Sequence, residues 1–336
     1  MRMPPLQFNP FRSTLYSSDE LFAGFVESRP RSFGRTLDFR IYRQYVRAGG
    51  FAPTDYFTAL MEAVHDNAIR EATQSYLKGA STRAAVAFMG GHDLERGHPI
   101  YERVALLAWE LARRGYLPVS GGGPGAMEAT HLGALHQNAE RADLVRALGE
   151  LARAPKLPAG LQGIVARDGR INWPLVGKAH SWLLPALRIR GRISSPGESL
   201  AIPTWLYGQE PTTVLATQVA KYFQNSVRED RLLAVATHGV IYVEGRAGTV
   251  QEIFQDAAQN YYRVQGDFSP MVFYGRSQWE RRLPVVALLR KLLAPDDYRR
   301  FVLVTDKTEA IVEFLGRFSR KETPLQRMKR RLRADR

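Results

Sequence analysis

Two glycine-rich turns, each lying between an apolar run and a helical pattern, constrain the fold of this chain most strongly. The first lies in 117–127, LPVSGGGPGAM, and the second in 239–252, GVIYVEGRAGTVQE. In the second, the apolar run 240–243 predicts a buried strand, and the spacing after Gly248 predicts a helix beginning at Thr249. In the first, Ser120 ends a short strand and Pro124 suits the first helical position. Each turn therefore predicts a strand–turn–helix unit.

Such turns are candidate anion sites. A helix N-terminus offers free backbone N–H groups and the positive end of the helix dipole, and both favour a phosphate. Glycine also serves tight turns, so one loop alone is weak evidence. Two loops of this kind favour two sides of one anion site over two unrelated turns. Glu252 is then either a carboxylate of that site or the acidic member of a Thr-x-x-Glu capping box that starts at Thr249.

The rest of the chain alternates strands and helices from residue 83 onward. We predict strands at 84–89, 117–120, 199–206, 240–244, 270–274 and 301–304, and helices at 99–114, 124–136, 139–154, 212–227, 229–236, 249–261, 283–293 and 307–318. This alternation of about six strands with helices predicts an α/β fold, a Rossmann-like, doubly wound and mostly parallel sheet with helices on both faces. Residues 155–197 show no clear period and are interpreted as a long irregular segment that could act as a lid.

The two ends of the chain differ from this pattern. Residues 1–37 are interpreted as an irregular arm, and helical spacing over 38–78, interrupted at Gly49-Gly50, predicts two helices. We therefore expect an N-terminal arm and helical cap at 1–80, a nucleotide-binding domain at 81–318 with an insert at about 139–197, and a basic tail at 319–336. The tail could contact nucleic acid, although such runs are more often solvated.

Composition excludes several classes of protein. The 336 residues contain no cysteine, which excludes disulfides, zinc–thiolate sites and cysteine nucleophiles and fits a reducing compartment. No apolar run reaches the length of a membrane span, and the N-terminus lacks a signal-peptide core, so we expect a cytoplasmic protein without a membrane partner. The net charge of +14 attracts nucleic acid, acidic lipid or small phosphates without selecting among them.

The two loops together resemble a known family. GGGPGAMEATHLGA (121–134) and GRAGTVQE (245–252) resemble the paired GGG-x-x-G-x-M and PGG-x-GT-x-x-E signatures of the LOG family, within the LOG-like Rossmann nucleotide-binding proteins, over about 83–318. The resemblance implies a homodimeric phosphoribohydrolase, which hydrolyses the N-glycosidic bond of nucleoside 5′-monophosphates to free base and ribose 5-phosphate. Older labels call such proteins lysine decarboxylases, but nothing in the sequence suggests a pyridoxal phosphate lysine.

The resemblance also implies roles for individual residues. The family's catalytic glutamate falls on Glu252, and its catalytic arginine on Arg228, with Arg231 as the fallback. The phosphate-binding loop residues correspond to Gly122, Gly123, Gly125, Met127, Gly245, Gly248 and Thr249. Glu244 and Arg246 depart from the family's Pro and second Gly. Arg246 could bind the phosphate itself or close the site.

Three further residues near the turns could contact the ligand. His92 follows the first strand and could approach the ligand. Met127 could touch a base, but packing under the loop is the commoner role. Glu128 could bind a ribose hydroxyl or be an exposed helix residue. The alternating arginines at 188, 190 and 192 could meet an anion or form an exposed basic edge.

The expected chemistry follows from the bond to be cleaved. Hydrolysis of an N-ribosyl bond develops positive charge near C1′, which the Glu252 carboxylate would stabilise while orienting water. We predict no metal and no cofactor, because His131 and His136 lack ligand spacing on a helix and no HExxH sequence is present. The alternative is a non-catalytic protein of the same fold that binds or senses a nucleotide, since Arg246 stands in the glycine turn.

Overall fold

The computed structural model describes residues 5–78, 83–264 and 269–318. The chain divides into two compact units, the first formed by Met1–Arg83 with His92–Leu232 and the second by Ala84–Gly91 with Leu233–Arg336. The predicted basic tail at 319–336 lies outside the described residues, as does the predicted boundary at residue 80.

The secondary structure alternates as the sequence predicts. The helices are α1 Ser18–Leu21, α2 Leu37–Ala48, α3 Tyr56–Leu77, α4 Pro99–Arg113, α5 Ala126–Leu135, α6 Arg141–Leu151, α7 Trp173–Arg192, α8 Asn225–Val235, α9 Ala247–Tyr261, α10 Val285–Leu292, α11 Pro295–Phe301 and α12 Thr308–Gly316. The strands are β1 Ala84–Met89, β2 Tyr116–Ser120, β3 Leu200–Ala201, β4 Gln218–Val219, β5 Val240–Tyr242, β6 Met271–Tyr274 and β7 Val302–Thr305. Short 3-10 turns lie at Pro30–Arg35, Leu161–Gly163 and Trp205–Tyr207, and a short π-helix lies at Ser277–Arg282.

Parallel strand pairing organises each unit. In the first unit β2 pairs with β3, and β3 pairs with β4, in parallel register. In the second unit β1 pairs with β5, β5 with β6 and β6 with β7, again in parallel. Parallel strands need helical crossovers, and these strands alternate with helices along the chain. The predicted Rossmann-like α/β class is confirmed.

The N-terminal helices form as predicted because their ends are well specified. Thr36 and Asp55 accept hydrogen bonds from the first turns of α2 and α3 through their side chains. Gly49 ends α2 with a φ of 110°, a left-handed conformation that favours glycine.

Among the described residues, no helix combines the length and the apolar character needed to cross a membrane.

Three predictions of secondary structure are wrong. Residues 155–197 contain the long helix α7, and only Leu200–Ala201 of the predicted strand 199–206 is extended in the sheet. The predicted helix at 212–227 does not form: β4 occupies its middle, and α8 begins at Asn225. The Thr213 hydroxyl accepts a local hydrogen bond from Leu215 N, and such local bonds compete with helix formation.

Helix α7 joins the insert to the N-terminal arm within the first unit. It packs against the 3-10 turn Pro30–Arg35, where a side chain at Gly34 would come within 2.8 Å of the Trp173 ring. His180 stacks on Phe25 with ring centroids 4.2 Å apart and also contacts the Val26 carbonyl. Tertiary packing of one apolar face thus outweighs the helix-breaking residues of this segment.

Candidate functional site

The first glycine turn is too crowded for side chains. Gly122 has a φ of 72°, and a Cβ there would lie 2.8 Å from the Ala201 Cβ. A Cβ at Gly121 would collide with a terminal guanidinium nitrogen of Arg228 and lie 2.7 Å from the Met127 sulfur. The triple glycine therefore lets the turn approach β3, Arg228 and Met127 closely.

Arg228 is held in place beside this turn. Its side chain is buried, and its Nε donates a hydrogen bond to the Ile202 carbonyl at 2.9 Å. Its guanidinium occupies the space next to Gly121. The predicted catalytic arginine and the predicted phosphate loop are therefore neighbours within the first unit.

A buried polar network fixes the base of the turn. The Ser120 hydroxyl lies 2.8 Å from His131 Nε2 and accepts a hydrogen bond from Gly122 N, while His131 Nδ1 lies 2.9 Å from the Ser199 hydroxyl. Burial lowers the pKa of His131 to about 3, so the imidazole is neutral at ordinary pH. Thr213 N donates to the Gly122 carbonyl at 2.9 Å. This network was not apparent in the sequence.

Helix α5 begins at this turn without a side-chain cap. Gly125 is the N-cap residue, with a φ of 71°, and as a glycine it has no side chain to accept from the first helical N–H groups. The helix therefore starts at Ala126, two residues later than predicted from Pro124. Met127 packs under the loop, because its Cε and Sδ lie where side chains of Gly123 and Gly121 would be. An uncapped helix start of this kind is suited to an anion.

Both interpretations of Glu128 are wrong, because Glu128 is part of the buried core. Its carboxylate accepts hydrogen bonds from Arg96 Nε at 2.7 Å and from the Tyr101 hydroxyl at 2.8 Å. Arg96 also donates a hydrogen bond to the Trp182 carbonyl. Its guanidinium carbon lies 3.7 Å from the centroid of the Trp182 ring. Glu128 thus ties α5 to α4 and the segment before it, and its oxygens are occupied.

A cavity of about 310 Å³ opens beside Gly125. His92 lines it with a largely exposed side chain, and its Nε2 lies 3.9 Å from Oε1 of Glu210. Burial raises the pKa of Glu210, a change that the neighbouring His92 opposes and Asp93 reinforces. Glu210 Oε2 also lies 3.9 Å from the position of a Cβ on Gly123. The cavity therefore contains a carboxyl that keeps its proton above the usual pH range.

Sequence reasoning missed Glu210. It follows the 3-10 turn Trp205–Tyr207, in a segment predicted to lead from a strand into a helix. No motif marks it, and a single acidic residue in GQEPTT is an ordinary loop residue by composition. The available signal was its place shortly after a predicted strand of a parallel sheet, where ligand-binding residues concentrate.

The second glycine turn is also tightly built, in the second unit. A Cβ at Gly245 would collide with the Thr249 side chain, and the Gly245 carbonyl accepts from Gln278 Nε2 at 3.2 Å. Helix α9 begins at Ala247, with Arg246 as its N-cap and no side-chain cap hydrogen bond. Thr249 is therefore inside the first turn, and the predicted capping box starting at Thr249 does not form. Glu252 therefore does not act as the acidic member of a capping box at Thr249.

Glu252 lies in α9 one helical turn before a buried anchor. The Tyr242 hydroxyl donates to Asp256 Oδ2 at 2.7 Å, which fixes α9 on β5. Burial raises the pKa of Asp256 to about 7, and the charge of Glu252 contributes to raising the pKa of Tyr242. Glu252 is half-buried, whereas Asp256 is fully enclosed.

Arg246 and Gly248 lie at the exposed beginning of α9. A Cβ on Gly248 would meet no atom within 4 Å, so the protein itself leaves this space open. The structure thus places two groups of predicted site residues in different units. The first unit holds His92, Gly122, Gly123, Gly125, Met127 and Arg228, and the second holds Gly245, Arg246, Gly248, Thr249 and Glu252.

The predicted basic edge at 188–192 is paired with acidic residues. Arg188 bonds to Glu27, Arg190 to Asp19 and Arg192 to Glu150. Within the described ranges, no cluster of three or more His, Asp or Glu side chains could hold a metal ion.

Comparison with known proteins gives likenesses among solved structures. No protein-family model matches the chain. No curated protein matches either. Among solved structures, the chain is similar to a structural-genomics target described as the X-ray structure of TM1055, at 18% identity and a TM-score of 0.39. The likeness covers 69% of this chain and 98% of that one, and the description mentions neither a ligand nor an activity.

Proposed function

We propose that this protein is a LOG-like phosphoribohydrolase, which hydrolyses nucleoside 5′-monophosphates to the free base and ribose 5-phosphate. The observation that carries the proposal is the buried Arg228 guanidinium seated against Gly121, beside an uncapped helix start and an open cavity. A fixed guanidinium and free helical N–H groups both bind phosphate in proteins.

The first turn supplies the phosphate site in this proposal. The N–H groups at the start of α5 and the Arg228 guanidinium would bind the phosphate oxygens. The cavity of about 310 Å³ beside Gly125 is of a size that accommodates a nucleobase. Its walls carry both apolar residues, such as Leu161 and Trp182, and polar ones.

The reaction needs a carboxylate and an acid. Water adds to C1′ as the bond from C1′ to the base nitrogen breaks, and the departing base must gain a proton. We assign charge stabilisation and water activation to Glu252, and protonation of the base to Glu210, whose pKa is raised by burial. The pairing of Glu252 with the first turn comes from the two sequence signatures and is part of the proposal. So are the homodimer and the cytoplasmic location.

The alternative function is nucleotide binding or sensing without turnover. It is favoured by Arg246, an exposed arginine at the start of α9 where the family has glycine. In that case the protein would bind a nucleotide, and the base would never be released.

The test is incubation of purified protein with a panel of nucleoside monophosphates, followed by chromatography for free bases. Glu252→Gln should abolish release, because the amide cannot stabilise positive charge at C1′. Glu313→Gln, at an exposed position in α12, is the matched control and should cleave normally. Release that persists in Glu252→Gln would reject the mechanism, and binding without release by the wild type would establish the sensor.

A further inference from the structure

A second cavity in the first unit contains polar groups that the fold leaves unsatisfied. It has a volume of about 330 Å³ and lies among α2, α3, the Trp205–Tyr207 turn and the start of α8. Its lining includes Tyr45, Glu62 and Asn225, with apolar walls from Phe51, Leu206 and Phe223. It shares no lining residue with the cavity beside Gly125.

Glu62 is the central group of this cavity. Its side chain is buried, and the causes that shift its pKa to about 8 are burial followed by the like charges of Asp66 and Asp55. No cation or hydrogen-bond donor offsets these effects. Buried carboxyls normally have a cationic or hydrogen-bonding partner.

Two other groups around the cavity lack hydrogen-bond partners. The Tyr45 hydroxyl and Asn225 Oδ1 are both buried without one. The Asn225 amide nitrogen already donates to Glu229, so its remaining capacity is as an acceptor. A buried polar group without a partner costs roughly 1–3 kcal/mol, so these two beside one cavity are costly for the protein to retain.

The chemistry of the lining selects a hydrogen-bond donor with positive charge. Glu62 and Asn225 Oδ1 accept, and the side chains that line the cavity include no lysine or arginine. The Asp66 carboxylate is already engaged, because its oxygens accept hydrogen bonds from Phe223 N and Gln224 N. It therefore does not compete with Glu62 for a cation in the cavity. Phe51, with 84% of its surface exposed, provides an aromatic wall that nothing in the first unit covers.

We propose that this cavity is a binding site for a small organic cation, a primary amine carrying an apolar or aromatic body. The ammonium group would pair with the Glu62 carboxylate, while the body would lie against Phe51, Leu206 and Phe223. The site is distinct from the proposed nucleotide site, and its existence does not depend on hydrolysis.

The test uses the full-length protein with benzylamine as the probe and benzyl alcohol as its uncharged counterpart, measured by calorimetry and by melting temperature. Benzylamine should bind saturably and raise the melting temperature, and benzyl alcohol should bind at least tenfold more weakly. Glu62→Gln should weaken benzylamine binding at least tenfold, and Tyr45→Phe should weaken it less.

Glu71→Gln is the matched control, because Glu71 lies on the same helix with an exposed side chain. It should bind benzylamine as the wild type does. The amide in Glu62→Gln has the same shape as a protonated carboxyl, so this variant should fold. Equal binding by Glu62→Gln and wild type, equal binding of the alcohol and the amine, or no saturable binding of benzylamine would each overturn the proposal.

Discussion

The guanidinium of Arg228 fills the space in which any side chain on Gly121 would have to lie. Gly121 is thus required by another side chain and not by its own backbone angles, since its φ is not positive. A side chain introduced at position 121 therefore tests the importance of the position of Arg228.

Gly121→Ala should therefore displace Arg228 and lower nucleotide cleavage by at least tenfold. The cleavage rate should fall even where the melting temperature changes little, because Arg228 can rotate away while the turn is retained. Cleavage rate and melting temperature measure the two effects. Gly149→Ala in α6, where a Cβ meets no atom within 4 Å, is the control and should be neutral or stabilising by up to about 1 kcal/mol. Full activity in Gly121→Ala would show that the position of Arg228 is irrelevant.

Gly248→Ala separates ligand contact from folding. A Cβ there meets nothing in the protein, and its φ is not in the left-handed region, so stability should be unchanged or slightly higher. Nucleotide binding should nevertheless weaken by at least tenfold if the phosphate approaches this backbone. Calorimetric titration with a nucleoside monophosphate measures it. Gly316→Ala, equally open and at the end of α12, should change neither property.

Glu210→Gln should lower the cleavage rate on the order of 100-fold, the usual contribution of one acid catalyst. Because its pKa is raised, Glu210 remains protonated to higher pH than an ordinary glutamate, and activity should fall on the alkaline side as the proton is lost. The variant should lack this alkaline decline. A pH–rate profile for both proteins decides the matter. Glu95→Gln, on the lining of the same cavity, should keep the wild-type profile.

The buried Arg96–Glu128 pair predicts a loss of stability that is independent of chemistry. Glu128→Leu should destabilise the protein by about 3–5 kcal/mol, because it leaves the Arg96 charge and the Tyr101 hydroxyl buried without their acceptor. The combined variant Arg96→Met, Tyr101→Phe, Glu128→Leu should recover much of that loss. Urea unfolding followed by circular dichroism measures both. A single variant as stable as the wild type would contradict this assignment of Glu128 to the core.

Glu62 predicts a dependence of stability on pH. Its pKa is raised to about 8 in the folded protein, while an unfolded glutamate has its ordinary value, so the unfolded chain loses this proton first. The favourable contribution of the protonated Glu62 side chain is complete below the unfolded pKa and is lost as pH rises through about 8, a change of about 5 kcal/mol in the free energy of unfolding. The neighbouring Asp55 and Asp66 charges reinforce the shift, and the Tyr45 hydroxyl faces the same region.

Unfolding free energies measured from pH 5 to 9 test this dependence. Glu62→Gln should flatten the decline and be more stable than the wild type at pH 8.5. Glu71→Gln should follow the wild-type curve. A wild-type free energy of unfolding that rises with pH over this interval would contradict the prediction.

The sequence predicted the parts of the fold whose signals are local. Strands such as β1 are continuous apolar runs, and α2, α3 and α4 have side-chain caps or a clear apolar face. The two turns were found because glycine is required where backbone and side chains approach closely, as at Gly121 and Gly245.

The parts of the fold and of the site that the sequence did not predict depend on contacts between residues that are distant in sequence. Helix α7 contains Pro185 and two glycines, and it forms because its buried face packs against the 3-10 turn Pro30–Arg35. The segment after Glu210 has helical spacing, but Thr213 N bonds to the Gly122 carbonyl instead of to its own helix. Glu210 and Glu62 have unusual environments only because separate segments enclose them, and no single stretch of sequence contains that information.

The N-terminal arm also meets strand β4, which has β3 as its partner on one side in the first unit. Tyr16 and Val219 exchange both backbone hydrogen bonds in an antiparallel bridge, at 3.0 and 2.8 Å. Open strand edges invite pairing with other molecules, and this bridge occupies the backbone N–H and C=O of Val219, one of the two residues of β4. We therefore expect a chain that lacks the arm around Tyr16 to expose the Val219 backbone groups and to self-associate more readily than the full chain.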